Sequence, residues 1–126
     1  MSLSASSSLL LVTSINSPHR WRVIDGRIEF STDTGTTWVT QRTDVAPVAA
    51  GSSPGAGVCW LVGPSGLVLL TVDGERWAER SLPEGLDLAG VLAADGRQAT
   101  VTASNGRRFR TIDGGVTWAP SPPQEF

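Results

Sequence analysis

The sequence has no lysine and no tyrosine, and it has a single cysteine and a single histidine among 126 residues. The absence of lysine excludes Schiff-base chemistry and the lysine-dependent phosphate-binding loop. A single cysteine, Cys59, excludes an internal disulfide, and a single histidine, His19, argues against a histidine metal site or a catalytic triad. We therefore expect no cofactor and no metal site in this chain.

Charge is scarce as well. Charged residues make up 17% of the chain, and all ten basic residues are arginine against twelve acidic ones, which gives a net charge of -2. This balance creates no field that attracts a polyanion, so we expect neither nucleic acid nor an anionic membrane as partner. The apolar run Leu9–Val12 is far shorter than the roughly 20 residues of a membrane helix, so no membrane insertion by this segment is expected.

Glycine and proline are abundant, with 14 and 8 residues, which favours many short turns over a helical bundle. Three residue types recur with a period of about forty residues: Gly26, Gly66 and Gly106; Asp33, Asp73 and Asp113; and Trp38, Trp77 and Trp118. This is the length of a four-stranded propeller blade. We predict an all-β fold of three four-stranded antiparallel blade units in a β-propeller-like architecture, at about residues 9–41, 45–81 and 88–119.

The glycines of this repeat end the dipeptides Asp25-Gly26, Ser65-Gly66 and Asn105-Gly106, which predict two-residue type I′ hairpins. A short β-prone run precedes each hairpin: Leu9–Ile15, Val45–Ala50 and Leu88–Ala93. Because these runs are aliphatic, we expect them to form innermost strands that are buried on both faces. We predict residues 1–8 to be disordered or vector-derived and residues 120–126 to form a proline-rich tail.

Two of the repeats, Ser31–Trp38 and Thr111–Trp118, match the pattern S/T-x-D-x-G-x-T-W, the Asp-box of the bacterial neuraminidase repeat. The copy at Thr71–Trp77 is one residue shorter and lacks the second threonine, so we expect its turn to differ. The predicted box residues are Asp33, Gly35, Thr37, Trp38, Asp73, Gly74, Trp77, Asp113, Gly115, Thr117 and Trp118. In this pattern a buried aspartate accepts hydrogen bonds from backbone N–H groups of the turn, and glycine takes the conformation with positive φ. The tryptophan ring packs beneath the turn. We therefore interpret the box as a motif that stabilises the fold.

Within Asp-box proteins the chain resembles the photosystem II stability/assembly-factor-like repeats. It is more similar still to the C-terminal domain of bacterial transmembrane anti-sigma factors, through residues 20–38, then 45–49, then the second and third boxes. The resemblance implies a protein-interaction, sensor or scaffold module of an envelope-associated regulatory or assembly protein, located outside the cytoplasm. Sialidases share the box, but that family implies a tyrosine nucleophile, which this sequence lacks, so we predict that the chain is not an enzyme.

Arg107, Arg108 and Arg110 form the one basic cluster, a candidate patch for a protein partner. In a strand Arg108 and Arg110 share one face, while Arg107 and Phe109 share the other. The alternative interpretation of this basic cluster is an ordinary exposed strand without a partner. We interpret Trp21 and Trp60 as residues that pack between blades rather than as a carbohydrate platform. We interpret His19 as a solvated loop residue. Cys59 is interpreted as a buried, inert thiol.

The alternative function is a carbohydrate-binding or glycoside-active propeller fragment. It requires acidic loop residues to gather at one end of the molecule, and the candidates are Asp25, Asp44, Glu84, Asp87 and Asp95. Three blades alone are also expected to expose two apolar blade faces. That expectation predicts a homodimer that closes a six-bladed ring; a three-unit monomer and a fragment of a larger propeller are the alternatives.

Overall fold

The computed structural model describes residues 9–121, and its regular structure consists of twelve β-strands and one short 3₁₀ turn, Pro64–Gly66. The strands are β1 (Leu9–Thr13), β2 (Arg20–Ile24), β3 (Arg27–Ser31), β4 (Val39–Arg42), β5 (Ala50–Gly55), β6 (Val58–Val62), β7 (Val68–Thr71), β8 (Ala78–Glu79), β9 (Leu88–Ala93), β10 (Ala99–Ala103), β11 (Arg108–Thr111) and β12 (Ala119–Ser121). The prediction for residues 1–8 lies outside the described residues. The predicted tail lies outside them from residue 122 onward, and β12 occupies its first two positions.

The strands form three antiparallel sheets of four strands, each built from consecutive strands: β1 to β4, β5 to β8 and β9 to β12. We call these sheets blades 1, 2 and 3. The inner strands β1, β5 and β9 pack side by side, and β4, β8 and β12 are the outer edges. This confirms the predicted all-β architecture of three blades. Nowhere in residues 9–121 is there a helix long and apolar enough to cross a membrane.

The three predicted hairpins do not all form the same turn. Asp25 and Gly26 both have positive φ, as do Ser65 and Gly66, so the first two turns have the predicted type I′ geometry. The third prediction is wrong, because only Gly106 has positive φ there. The Gly106 N–H donates to the Ala103 carbonyl, and the Asn105 side chain accepts the Arg107 N–H, which stabilises a three-residue loop instead.

The inner strand of blade 2 differs from the prediction. The strand begins at Ala50, where the predicted run Val45–Ala50 ends, and continues to Gly55. Val45 and Val48 instead pack as connecting residues against the core between blades 1 and 2. Glycine is required at position 51, because a Cβ there would lie 2.5 Å from the Val12 Cγ2 atom of the neighbouring inner strand.

The expectation that the inner strands are buried on both faces is also wrong. Leu11 in β1 is 56% exposed and Leu92 in β9 is 76% exposed. Both residues lie on blade faces that contact no other described blade. The alternation of a strand sends one side chain into a seam and the next away from it, so an aliphatic sequence alone does not make both faces buried.

The core consists of two apolar layers, one in each seam between neighbouring blades. Blade 2 contributes to both: Cys59 and Leu61 face blade 1, whereas Trp60 and Val62 face blade 3. Trp21 of blade 1 and Phe109 of blade 3 are the large, fully buried partners in these layers. Blade 2 is therefore apolar on both faces, and the outer blades have one apolar face each.

Candidate protein-interaction face

The first and third boxes have the same hydrogen-bonded geometry. In the third, the Thr111 hydroxyl accepts the Gly115 N–H at 2.8 Å and donates to Asp113 Oδ1 at 2.8 Å. Asp113 in turn accepts the Thr117 N–H at 3.0 Å and the Thr117 hydroxyl at 2.6 Å. The hydroxyl of the first box residue is therefore the buried centre of the turn, a role that the sequence analysis did not assign although the motif includes that position.

The turn of the second box differs, as its shorter length predicts. Asp73 Oδ1 accepts the N–H groups of Glu75 and Arg76, at 2.9 and 2.8 Å, which are two and three residues further along the chain. In the other boxes the acceptor reaches a residue four positions later. The Thr71 hydroxyl keeps its role and accepts the Gly74 N–H at 3.1 Å. The buried hydroxyl is thus the feature that all three turns share.

The box carboxylates lie at the surface, which corrects the expectation that they are buried. The charged form of Asp33 is stabilised by hydrogen bonds from the Ser31 hydroxyl, the Thr37 hydroxyl and the Thr37 N–H. These bonds lower the pKa of Asp33 to about 2. The Thr117 hydroxyl and N–H, followed by Thr111, lower the pKa of Asp113 to about 2. Hydrogen bonds from the backbone N–H groups of Arg76 and Glu75 also lower the pKa of Asp73. These aspartates are therefore ionised and hydrogen-bonded within their own turns.

The box tryptophans make different contacts in the three boxes. The Trp38 indole N–H donates to the Gly35 carbonyl within its own turn, whereas Trp77 and Trp118 reach the preceding blade. Trp77 donates to the Gln41 side chain at 2.8 Å, and Trp118 donates to the Arg80 carbonyl at 3.0 Å. The second and third boxes thus join neighbouring blades, a long-range contact that the local pattern could not predict.

The acidic loop residues required by the carbohydrate alternative share an end of the molecule in four of five cases, but they do not form a cluster of three within residues 9–121. The connections that contain Asp25, Asp44, Glu84 and Asp87 lie at the hairpin end of the blades, whereas Asp95 lies at the box end. Asp87 accepts the Ser65 N–H, and Asp95 accepts the N–H groups of two residues in its own turn. Within residues 9–121 no three histidine, cysteine or acidic side chains are grouped as a metal site would require.

The remaining candidates of the sequence analysis have packing contacts. His19 is half-buried, and its Nδ1 atom accepts the Gly57 N–H of blade 2 at 3.2 Å, so the prediction of a solvated loop residue is wrong. Trp21 and Trp60 are fully buried in the two seams, as predicted. Cys59 is buried too, and burial raises the pKa of its thiol, which keeps it protonated and unreactive.

The basic cluster divides between the two faces of blade 3. Arg107 lies over the ring of Phe109, with its guanidinium carbon 5.1 Å from the ring centre, on the side that faces blade 2. Arg108 and Arg110 point the opposite way, and they stand across from Thr102 and Thr100 in the register of the sheet. We call this side the free face of blade 3, because the other side contains the core between blades 2 and 3.

Two adjoining grooves lie beside these arginines, one on the free face of blade 3 and the other at the outer edge of that sheet, where Trp118 turns towards blade 2. One has a volume of about 540 Å³ and is lined by Leu92, Thr100, Arg108 and Arg110. The other has a volume of about 350 Å³ and is lined by Arg110, Ile112, Trp118 and Pro120. Arg110 borders both grooves. Neither Arg108 nor Arg110 forms an ion pair with any residue in the range 9–121.

The free face of blade 1 is built differently, because its charges are already paired. Glu29 is only 8% exposed, and it binds Arg22 at 2.6 Å and Arg27 at 3.3 Å. The Arg22 hydrogen bond is the main cause of the lowered pKa of Glu29. Arg22 also lies over the ring of Trp38, 4.2 Å from its centre. Both free faces are therefore rich in arginine, which corrects the expectation that they are apolar.

The comparison with solved structures supports the fold. No protein-family model and no curated protein sequence matches this chain. Among solved structures, the chain is similar to YCF48 bound to a D1 peptide, with a TM-score of 0.77 and 23% identity over 95% of this chain and 42% of that one. It is equally similar to YCF48 from Cyanidioschyzon merolae, with a TM-score of 0.77 and 24% identity over 94% of this chain and 41% of that one. YCF48 is a β-propeller, and the three sheets of this chain match blades of that propeller. The chain spans less than half the length of each of these structures.

Proposed function

We propose that this chain is a non-enzymatic protein-interaction module and that the free face of blade 3 binds an extended acidic segment of a partner protein. The observation that carries the proposal is the pair Arg108 and Arg110, which are unpaired within residues 9–121 and stand beside two adjoining grooves. Arginine binds carboxylates through two parallel N–H groups, so such a pair selects acidic side chains. The exposed Ile112 and the edge of Trp118 offer apolar contacts to neighbouring residues of the same segment.

The structural comparison supports a peptide as the kind of ligand. YCF48, which has the same fold, is bound to a D1 peptide in one of the similar structures. The acidic loop residues of the present chain do not support the glycoside-active alternative, because no three of them are grouped within residues 9–121 and Asp87 and Asp95 accept backbone N–H groups of turns. The sequence resemblance to anti-sigma factor C-terminal domains further suggests an envelope-associated regulatory or assembly protein with this module outside the cytoplasm.

The proposal is tested by selecting a displayed library of random twelve-residue peptides on the wild-type protein and on the double variant R108E/R110E. We expect the wild type to enrich acidic sequences whose binding weakens as salt rises, and the double variant to lose them. The matched control is R42E/R97E, which changes the same charge elsewhere on the surface and should keep the selected peptides. Equal enrichment on all three proteins, or no acidic enrichment, would contradict the proposal.

The six-bladed ring of two chains is an alternative that would use the same free face of blade 3. To close the ring, the free face of blade 3 must meet the free face of blade 1 of a second copy. That contact places Arg108 and Arg110 against a surface that already contains Arg22 and Arg27 and one acidic partner, Glu29. Because like charges that are brought together repel, we favour a separate acidic partner over a second copy of this chain.

A further inference from the structure

A third groove lies in the seam between blades 2 and 3, at the end of the molecule that carries the box turns. It has a volume of about 370 Å³, and its apolar side includes Leu70 and Val72. Arg80, the residue that follows β8, lies in its lining and contributes a guanidinium group. We call this feature the seam groove. It is separate from the free face of blade 3, which lies on the other side of that sheet.

Arg80 is fixed in the seam groove, but its charged end has no partner among the residues that the structure describes. Its Nε atom is buried without an acceptor, and its guanidinium forms no hydrogen bond or ion pair with any residue from 9 to 121. The Arg80 carbonyl accepts the Trp118 indole N–H at 3.0 Å. A Cβ at Gly115 would lie 2.7 Å from the Arg80 Cβ, so the side-chain stem packs directly on the turn of the third box. An unpaired buried donor is costly, which indicates that an acceptor is missing.

The seam between blades 1 and 2 shows how the same position is completed elsewhere. Gln41 occupies the place that corresponds to Arg80, since each residue lies three positions after the tryptophan of its own box and meets the tryptophan of the next box. The Gln41 side chain accepts the Trp77 indole N–H and donates to the Gly74 carbonyl. Both ends of the glutamine are thus satisfied within the protein. The arginine at the second seam carries N–H donors that no residue in the described part of the chain accepts.

We propose that the seam groove binds a singly charged carboxylate, with Arg80 as its principal ligand and Arg76 as a second cation. The planar guanidinium matches the two oxygens of a carboxylate. Asp73 and Asp113 also line the groove, and their carboxylates accept the N–H groups of their own turns. Their charges disfavour a doubly charged phosphate, whereas one carboxylate balances one arginine. The apolar wall suits the aliphatic stem of the ligand.

The test follows the Arg80 Nε–H resonance by ¹H–¹⁵N NMR during titration with butyrate and with the blocked tripeptide Ac-Ala-Glu-Ala-NH₂. We expect saturable shifts with one or both probes, and no response to the glutamine tripeptide. Tighter binding of the glutamate tripeptide identifies a side chain of a protein as the source, and equal or tighter binding of butyrate identifies a free small carboxylate. Either result supports the site, whereas the absence of a saturable shift with both probes would refute it.

The deciding variant is R80Q, with binding followed through the backbone amide resonances of Gly96 and Gly114, which line the same groove. It introduces the residue that the first seam already uses, so it should fold, which its melting curve will check. We expect R80Q to weaken binding by about tenfold or more, the loss that follows from a charge-assisted pair. The control R110Q removes the same charge on the free face of blade 3 and should leave the affinity unchanged. Equal losses in R80Q and R110Q would show a non-specific charge effect and reject the site.

Discussion

Replacing Thr111 with valine tests whether the buried hydroxyl, rather than the exposed aspartate, stabilises the box turn. Valine keeps the shape of threonine, and Thr111 is only 1% exposed, so no water can replace the lost oxygen. The buried Gly115 N–H, which donates to that hydroxyl at 2.8 Å, then has no acceptor. An unsatisfied buried N–H costs about 1–3 kcal/mol, so we expect the free energy of unfolding to fall by that amount. For a domain of this size each kcal/mol corresponds to roughly 3–6 °C in Tm.

The assay is urea denaturation followed by tryptophan fluorescence, in which the midpoint should fall while the slope stays unchanged. T111S keeps the hydroxyl and should recover most of the loss. The control T117V removes an exposed hydroxyl that bonds the same carboxylate, so its effect should stay within about 0.5 kcal/mol. The reasoning is refuted when T111V is as stable as the wild type, or when T111V and T117V lose the same stability.

Two further predictions concern acid stability and mass. Because the folded pKa of Asp33 and of Asp113 is lowered to about 2, the unfolded chain binds more protons as the pH falls. The stability that these groups contribute is complete only above about pH 5, one unit above the unfolded pKa, and it is lost as the pH falls towards about 2. In D33N/D113N the urea midpoint should therefore depend less steeply on pH within that window, and the same pH dependence as in the wild type would contradict this. Light scattering after size exclusion should give a mass near 13.2 kDa, because both free faces are arginine-rich, and twice that mass at all concentrations would restore the six-bladed ring.

The strand order and the blades could be predicted because both depend on local patterns. The forty-residue period gives the length of one blade. The turn dipeptides and the alternation of RFRT then place the hairpin and the two strand faces within that blade. The inner strand β5 was misplaced because its sequence, AGSSPG, contains small residues and a proline with weak preference for a strand. Its position depends instead on how closely Gly51 lets it approach Val12 and Leu61, which no local pattern records.

The predicted site residues divide in the same way. The separation of Arg108 and Arg110 from Arg107 follows from strand alternation and could be predicted. The contacts of Gln41, Arg80 and His19 could not, because each joins residues of different blades that are more than thirty positions apart in the sequence. Sequence reasoning therefore described the individual blades better than the seams, and the candidate carboxylate groove lies in a seam.

The polarity of the blades explains why further contacts of this chain should be polar. Blade 2 is apolar on both faces, and blades 1 and 3 each direct their single apolar face towards it, so the described core is shared among three sheets. On the opposite faces Arg22 and Arg27 of blade 1 are paired with Glu29, whereas Arg108 and Arg110 of blade 3 form no ion pair with any residue between 9 and 121. A partner that docks on blade 1 must compete with an existing ion pair, but one that docks on blade 3 supplies the missing acceptor. The difference between these two faces, rather than their total charge, is why we propose blade 3 and not blade 1 as the binding side.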